Sequence, residues 1–337
     1  MIKDDSQVIG VIGLGYMGCS IVSAFLMWGY KVIAVASLDS DLDTPHERIR
    51  TSLLDANKQG IHSLDIDGLL SKLILTTNFH DLNPCFLISE NVIEQVDVKN
   101  QVLARIETSV SEQAIITTNT SGIPISILQS QLQHPGRFLG MHWAEPAYTS
   151  PFLEIICGDK TNPAMAESLY TLATSWGKEP VLLRKDIRGF VTNRLMYALY
   201  REALFLVDNG YASMKDIDSA CKNDAGHWMT FCGPFRYMDL TGLQAYHHVM
   251  KDLFPTLSNQ KEIPPWLDAL AASGANGVSN GRGFYEYSPD EAAGWQKAYK
   301  EFKYDIYNLS VKYPADLVEQ RLKYSTDEKD RVEQFGL

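Results

Sequence analysis

Cysteine, positive charge and long apolar runs are all scarce in this sequence of 337 residues. The five cysteines form no Cys-x-x-Cys pair, and an odd number of scattered cysteines argues against a disulfide framework or a zinc site. The N-terminus lacks a basic stretch followed by an apolar run, so we expect no signal peptide. These absences predict a protein without a bound metal in a reducing compartment, the cytoplasm.

The shortage of positive charge also excludes classes of partner. A net charge of −11 disfavours nucleic acid, because phosphate contacts require a basic face, and it equally disfavours an anionic membrane surface. No apolar run approaches the roughly 18 residues of a membrane span. We therefore predict no nucleic-acid and no membrane partner, and expect a small molecule instead.

Hydrophobic residues make up 45% of the chain, enough for a sizeable core, and the length predicts about two domains. Residues 1–185 alternate strand-like runs such as QVIGVIGLG, YKVIAVA and RFLGMHW with helical segments. This alternation predicts an α/β, Rossmann-type domain with a mostly parallel sheet. From residue 186 the pattern is helical throughout, which predicts an all-helical C-terminal domain over 186–300 and a helical extension over 301–337.

The segment GLGYMG has the GxGxxG pattern, directly after a predicted strand and at the start of a predicted helix. Gly13 permits a tight turn, Gly15 lets the backbone approach a pyrophosphate, and Gly18 lets the helix pack closely on the strand. The helix N-terminus then faces the negative charge. We predict a dinucleotide site here that includes Tyr16 and Met17, the alternative being a glycine turn without a ligand.

The acidic residue that usually ends the second strand and binds the ribose is missing. Ala36 and Ser37 stand there, and small residues could admit the 2′-phosphate of NADP. The acidic residues that follow would repel a phosphate, and Asp39 or Asp41 could reach the ribose instead. NAD is therefore favoured, with NADP as the alternative.

Hydride exchange with a nicotinamide needs a base for the alcohol proton, a role that suits histidine. Among eight histidines, His142 alone ends a predicted sheet strand, the place where open α/β sheets bind ligands. The alternative is a packed core histidine. The segment TTNTSG ends a neighbouring strand and offers Asn119 and Ser121 as donors near the nicotinamide, unless they merely cap a helix. Asn193 lies just past the predicted domain junction, where a second domain would face the cofactor.

These motifs together resemble the L-3-hydroxyacyl-CoA dehydrogenase family. They occur in family order: GLGYMG, ENVIEQVDVKNQVL, TNTSG, MHWAEP followed by FLEI, DIRGFVTNRL, GPFRYMDLTGL and GRGFYEY. The resemblance implies an NAD(P)-dependent dehydrogenase that interconverts a 3-hydroxy compound and its 3-keto form. His142 would be the catalytic base and Glu154 its carboxylate partner, with Ser121 and Asn193 holding the substrate oxygen.

The same resemblance implies that Glu94 and Lys99 line the cofactor site and that the helical domain forms a homodimer interface. The sequence departs from the family at the histidine motif, where Glu145 replaces the usual asparagine and a bulky Trp143 follows the histidine. With Tyr148, these residues are candidates for substrate specificity.

The substrate itself is left between two classes. The spacing of proline and tyrosine in HWAEPAYTSPFLE resembles a branch that acts on free 3-hydroxy acids, such as L-gulonate and carnitine dehydrogenases and lambda-crystallin. The segment between the second strand and KLILTT has only Lys58 before Lys72, which is unfavourable for the phosphates of coenzyme A. A free hydroxy acid or sugar acid is therefore favoured over a 3-hydroxyacyl-CoA. A non-enzymatic dinucleotide-binding protein is the remaining alternative.

Overall fold

The structure is a computed structural model, and it describes residues 7–36, 42–61 and 65–324. The chain divides into two compact units, Met1–Leu195 and Met196–Leu337. The predicted domain border at 185/186 lies before this division. The predicted border at 300/301 falls inside a continuous helix, Pro289–Lys312. Both borders stay predictions.

The described residues of the first unit form one eight-stranded sheet. Its strands are β1 (Val8–Ile12), β2 (Lys31–Val35), β3 (Leu73–Thr76), β4 (Cys85–Glu90), β5 (Ile115–Thr118), β6 (Phe138–Trp143), β7 (Phe152–Cys157) and β8 (Glu179–Leu183). Their order is β3-β2-β1-β4-β5-β6-β7-β8, and every neighbouring pair is parallel except β6 and β7. The predicted Rossmann-type, mostly parallel sheet is thus confirmed. Strand order reverses between β1 and β4, the switch point at which such sheets bind ligands.

Helices cover both faces of this sheet. They are α1 (Tyr16–Met27), α2 (Asp43–Lys58), α3 (Ile66–Leu70), α4 (Val96–Ser109), α5 (Ile125–Gln129), α6 (Pro163–Ser175) and the start of α7 (Thr192–Asp208). Strand residues alternate between two cores, as the pleat requires. On β1, Ile9 and Val11 join a core with Phe25, whereas Val8 and Ile12 join another with Phe138 and Ile88. Burial on both faces explains why the strands read as continuous apolar runs.

The second unit is helical, which confirms the predicted helical C-terminal part. After α7 it contains α8 (Met214–Asn223), α9 (Ala225–Met229), α10 (Pro234–Thr241), α11 (Leu243–Leu253), α12 (Pro265–Ala272), α13 (Pro289–Lys312) and α14 (Leu317–Tyr324). Ser213 and Asp216 form a capping box at the start of α8, and Ser288 and Glu291 form another at α13. Within the described ranges, no helix combines the length and apolarity needed to cross a bilayer.

Candidate active site

The glycine turn between β1 and α1 has the shape that a dinucleotide pyrophosphate requires. Gly13 has a left-handed φ of +86°, which lets its N–H donate to the Val35 carbonyl at 3.1 Å. A Cβ on Gly18 would overlap the Gly13 carbonyl oxygen, so only glycine lets α1 come this close to the turn. A Cβ on Gly15 would instead meet no atom within 4 Å, which leaves open space beside this backbone.

The first turn of α1 can receive an anion. Its N-cap, Gly15, makes no side-chain capping bond, and the first turn, which holds Tyr16 and Met17, has no acidic residue. N–H groups at such a helix start are available to a phosphate. At the end of β2, Ala36 is buried and donates its N–H to the Thr76 carbonyl. Ser37, Asp39 and Asp41 lie outside the described residues. The glycine turn and the open helix start therefore fit a bound dinucleotide.

A buried ionic cluster lies beneath the next loop of the switch point. The Lys99 ammonium contacts both carboxylate oxygens of Glu90, at 3.0 and 3.1 Å, and an oxygen of Glu94 at 3.5 Å. Lys99 and Glu90 are fully buried. Glu90 also accepts 2.6 Å bonds from the Val92 N–H and the Thr118 hydroxyl. The Lys99 ammonium, predicted to line the cofactor site, is thus paired with protein groups, among them Glu94 and the Val92 carbonyl in the loop between β4 and α4.

Sequence reasoning missed Glu90. Its signal was present, since an acidic residue that ends a strand buried on both faces needs a buried cation.

Glu94 shapes the turn that carries Ser121. Its Oε1 accepts bonds from the Thr120 hydroxyl at 2.6 Å and from the N–H groups of Ser121 and Gly122 at 2.9 and 3.2 Å. Asn119 is held from the other side, because its Oδ1 accepts the Trp143 N–H at 2.9 Å. The predicted donors Asn119 and Ser121 therefore lie in a turn fixed by strand ends and by one carboxylate.

His142 and Glu154 face each other across the only antiparallel pair of the described sheet. They are register partners on β6 and β7, and His142 Nδ1 lies 2.8 Å from Glu154 Oε2. The carboxylate is fully buried, whereas the imidazole is 12% exposed. Phe152 and Phe190 flank the imidazole, each with its ring centre 5.8 Å away. The structure thus brings together His142 and Glu154, which lie twelve residues apart in the chain and were predicted to form a pair.

The second carboxylate oxygen of Glu154 forms hydrogen bonds with the start of α7. Oε1 accepts the N–H groups of Val191 and Thr192, each at 3.0 Å. The turn that delivers them contains Phe190, a fully buried residue with a left-handed φ of +53°. Sequence reasoning missed Phe190, because a positive φ at a non-glycine residue leaves no mark in the pattern.

These donors decide the charge of Glu154. Burial pushes the pKa of this carboxyl up, but the bonds from His142 and Thr192, the charge of His142 and the Val191 N–H together hold the pKa below its usual range. The group is therefore an ionised carboxylate near neutral pH. The helix start adds to this effect, since it favours negative charge.

Asn193 is the second residue of α7 and is adjacent to Ser121. Its Nδ2 donates to the Ser121 carbonyl at 2.6 Å. Both residues belong to the first unit, so Ser121, His142, Glu154 and Asn193 are connected through short bonds between β5, β6, β7 and the start of α7.

The specificity candidates separate into two groups. Glu145 and Tyr148 lie half-buried in residues 144–151, the loop between β6 and β7. Trp143 is 3% exposed, and its ring packs in the core against Phe25 and Trp176. This corrects the expectation of a substrate-facing Trp143: neighbours on a strand point to opposite faces, and His142 occupies the site face.

A dinucleotide turn at the switch point, together with an imidazole–carboxylate pair at nearby strand ends, defines a nicotinamide-dependent oxidoreductase. Residues 8–187 match the model of the 3-hydroxyacyl-CoA dehydrogenase NAD binding domain, and residues 189–287 match that of the C-terminal domain. The chain belongs to the 3-hydroxyacyl-CoA dehydrogenase family. It is an NAD-dependent dehydrogenase that acts on CH–OH groups.

Relatives within this similarity differ in substrate. The chain is 32% identical to 5-formyl-3-hydroxy-2-methylpyridine 4-carboxylate 5-dehydrogenase of Mesorhizobium japonicum, over 86% of this chain and 93% of the relative. It is 31% identical to a probable 3-hydroxybutyryl-CoA dehydrogenase of Deinococcus radiodurans, over 82% of this chain and 99% of the relative. A solved structure of the pyridine-carboxylate enzyme, described as an NAD⁺-dependent dismutase, has a TM-score of 0.82 at 28% identity and covers 92% of this chain and 99% of its own.

The glycine turn gives a matched pair of variants. Gly15→Ala should fold normally, because its φ of −69° suits alanine and no protein atom is near, yet should raise the dissociation constant for NAD about 10²-fold by displacing the cofactor. Gly18→Ala should lose about 1–3 kcal/mol of unfolding free energy through overpacking. Calorimetric NAD titration and urea unfolding measure the two effects. Unchanged NAD affinity in Gly15→Ala would contradict the placement of the cofactor.

Proposed function

We propose that the chain oxidises the hydroxyl of a small 3-hydroxy compound, or reduces the matching ketone, with His142 as general base and acid. The observation that carries this proposal is the 2.8 Å contact between His142 Nδ1 and the buried Glu154 carboxylate. An ionised carboxylate only accepts hydrogen bonds, so Nδ1 carries the proton in that bond. Nε2 of the neutral ring then has a lone pair that can accept the hydroxyl proton of the substrate.

The neighbouring residues supply the other requirements of the reaction. NAD, when bound at the glycine turn, supplies the hydride acceptor. Glu154 stabilises the imidazolium that forms when Nε2 takes the substrate proton. Asn193 keeps one amide proton beyond its bond to Ser121, and that proton, with the Ser121 hydroxyl, can hold the substrate oxygen. Phe152 and Phe190 restrict water at the imidazole and fix its plane.

The charge of the insert between β2 and β3 supports a free acid or sugar acid over a coenzyme A ester. Residues 43–67 contain five acidic residues (Asp43, Glu47, Asp55, Asp65 and Asp67) against three basic ones (Arg48, Arg50 and Lys58). Arg50 also contacts Asp67 at 3.4 Å. A surface with this balance attracts the phosphates of coenzyme A poorly. The relative that acts on a pyridine carboxylate, which is similar over most of the chain, also favours a free carboxylate substrate.

A panel of substrates tests the assignment. Free 3-hydroxy acids, sugar acids, 3-hydroxyacyl-CoA esters and the hydroxypyridine carboxylate of the relative are each incubated with NAD and with NADP, and nicotinamide absorbance is followed. We expect turnover with NAD on a free carboxylate. Preferred turnover of a 3-hydroxyacyl-CoA would establish the alternative, for which the Deinococcus relative is the support. No turnover in any arm would favour a binding protein.

We also propose that the second unit forms a homodimer, in the cytoplasm. Among described residues 196–322, only Ser258, Pro264 and Tyr304 are buried, whereas Phe235 is 80% exposed. So much exposed apolar surface in one unit is typical of a subunit interface. Sedimentation equilibrium should give twice the chain mass of 37.8 kDa, and a monomer at micromolar concentration would contradict the proposal.

Both members of the catalytic pair can be tested separately. His142→Asn should lower kcat about 10²–10⁴-fold, the usual effect of one acid–base group. Glu154→Gln should lower kcat with every substrate, because an amide can donate to Nδ1 and so remove the proton that fixes the tautomer. Steady-state kinetics at saturating NAD measure both. His80→Asn, at an exposed histidine, is the matched control and should keep kcat. Near-normal turnover in His142→Asn would overturn the assignment.

Glu145 should govern substrate choice and not the chemical step. Its place in the β6–β7 loop is outside the His142–Glu154 pair, so Glu145→Asn should shift the ratio of kcat/KM between two substrates by about tenfold while leaving one of them well turned over. The same substrate panel measures this ratio. If Glu145→Asn abolished all turnover while Glu154→Gln were mild, the two glutamates would have the opposite roles.

A further inference from the structure

A lysine side chain is buried beneath the β6–β7 loop, residues 144–151. Lys178, the residue before β8, is 5% exposed, and its Nζ donates to the Ala147 carbonyl at 2.5 Å and to the Ser150 carbonyl. The rings of Trp28 and Trp143 lie with their centres 5.4 and 5.3 Å from the same nitrogen. Aromatic faces at this distance attract an ammonium group. Lys178 therefore joins the aromatic core to two points of the loop backbone.

A side chain of α1 also holds the loop from outside. The Ser20 hydroxyl, on α1, accepts the Ala147 N–H at 2.9 Å. Within the loop, the Pro146 carbonyl accepts the N–H groups of Thr149 and Ser150 at 3.3 and 3.0 Å. The internal bonds make a compact turn, and the anchors fix that turn against the sheet. Ala147, which both anchors contact, lies between Glu145 and Tyr148.

Burial lowers the pKa of the Lys178 amine to about 7. A neutral amine still has two N–H groups, one for each of the two carbonyls, so the anchor persists in both protonation states. Without the amine, two inward-facing carbonyls would lose a partner, and a buried polar group without a partner is costly. The loop would then move to solvate them.

We propose that Lys178 is a positioning residue for substrate selection, which acts by fixing the β6–β7 loop that presents Glu145 and Tyr148. The inference rests on the proposed function, in which Glu145 governs substrate choice. The four catalytic candidates are held by other contacts, namely strand register, the start of α7 and the Glu94 turn. Lys178 should therefore affect substrate binding more than the chemical step.

The decisive variant is Lys178→Met, which keeps an unbranched apolar side chain and removes every N–H donor. We expect amide hydrogen exchange in peptides covering residues 144–151 to become about tenfold faster, because two loop carbonyls lose their partner. Substrate KM should rise about tenfold for the same reason. We expect kcat and the NAD dissociation constant to stay near wild type. Because the two loop carbonyls lose their donor, the midpoint of urea unfolding should fall modestly, and the variant should stay folded at low urea concentration.

Two further variants make the outcome decisive. Lys160→Met, at an exposed lysine after β7, is the matched control and should change none of these quantities. Ser20→Ala removes the other anchor and should speed exchange in the same peptides and raise substrate KM to a smaller degree. If Lys178→Met does not fold, Ser20→Ala decides: unchanged loop exchange in it would overturn the proposal.

Further outcomes distinguish a failure of the anchoring role of Lys178 from a failure of the proposed function. Unchanged loop exchange in folded Lys178→Met, or an equal loss of NAD and substrate affinity, would overturn the anchoring role. Failure of the proposed function would show differently, as no turnover in the wild-type substrate panel, while the exchange measurement would still report whether Lys178 holds the loop.

Discussion

The site depends on one buried carboxylate. Glu154 joins three elements, since it extends from β7 to the imidazole on β6 and to the first N–H groups of α7. An isolated buried charge would be prohibitively unstable, so this one persists only because donors surround it. The same donors keep the pKa of Glu154 low, and an ionised Glu154 in turn fixes the imidazole tautomer. The geometry of the His142 imidazole and the start of the following helix are thus two consequences of the bonds to one carboxylate.

A second buried charge cluster plays the corresponding part on the cofactor side. Lys99 pairs with Glu90 at the end of β4 and contacts Glu94, whose other oxygen holds the turn of residues 120–122. Asn193 lies on α7, the helix whose first N–H groups bind Glu154. Its Nδ2 donates to the Ser121 carbonyl in that turn. The two clusters therefore meet at one turn. Ser121 is therefore held from two directions, which gives a defined geometry to a site built from β5, β6, β7 and the start of α7.

Much of this architecture could be predicted from the sequence, because its signals are local. All eight strands coincide with apolar runs, the glycine turn has the GxGxxG spacing, and His142 lies near the end of a predicted strand. The contacts of Lys178 and Glu90 join residues far apart in the chain, and no local pattern specifies which buried charges meet. Trp143 differs, because strand alternation alone places it opposite His142. Its size suggests a role in the site, whereas its position on the pleat assigns it to the core.

The separation of rigid and variable parts explains how one family serves different substrates. The His142–Glu154 pair is set by sheet register, and a one-residue slip of either strand would turn its member of the pair to the opposite face, so the pair cannot be adjusted gradually. Glu145 and Tyr148 belong to a loop outside that register, where substitutions leave the strand pairing intact. A loop alone would be too mobile to select a substrate. Lys178 and Ser20 bind the loop at Ala147 and do not touch His142 or Glu154 through these bonds. Under the proposed function, substitutions in the loop therefore change binding specificity and preserve the geometry of the pair.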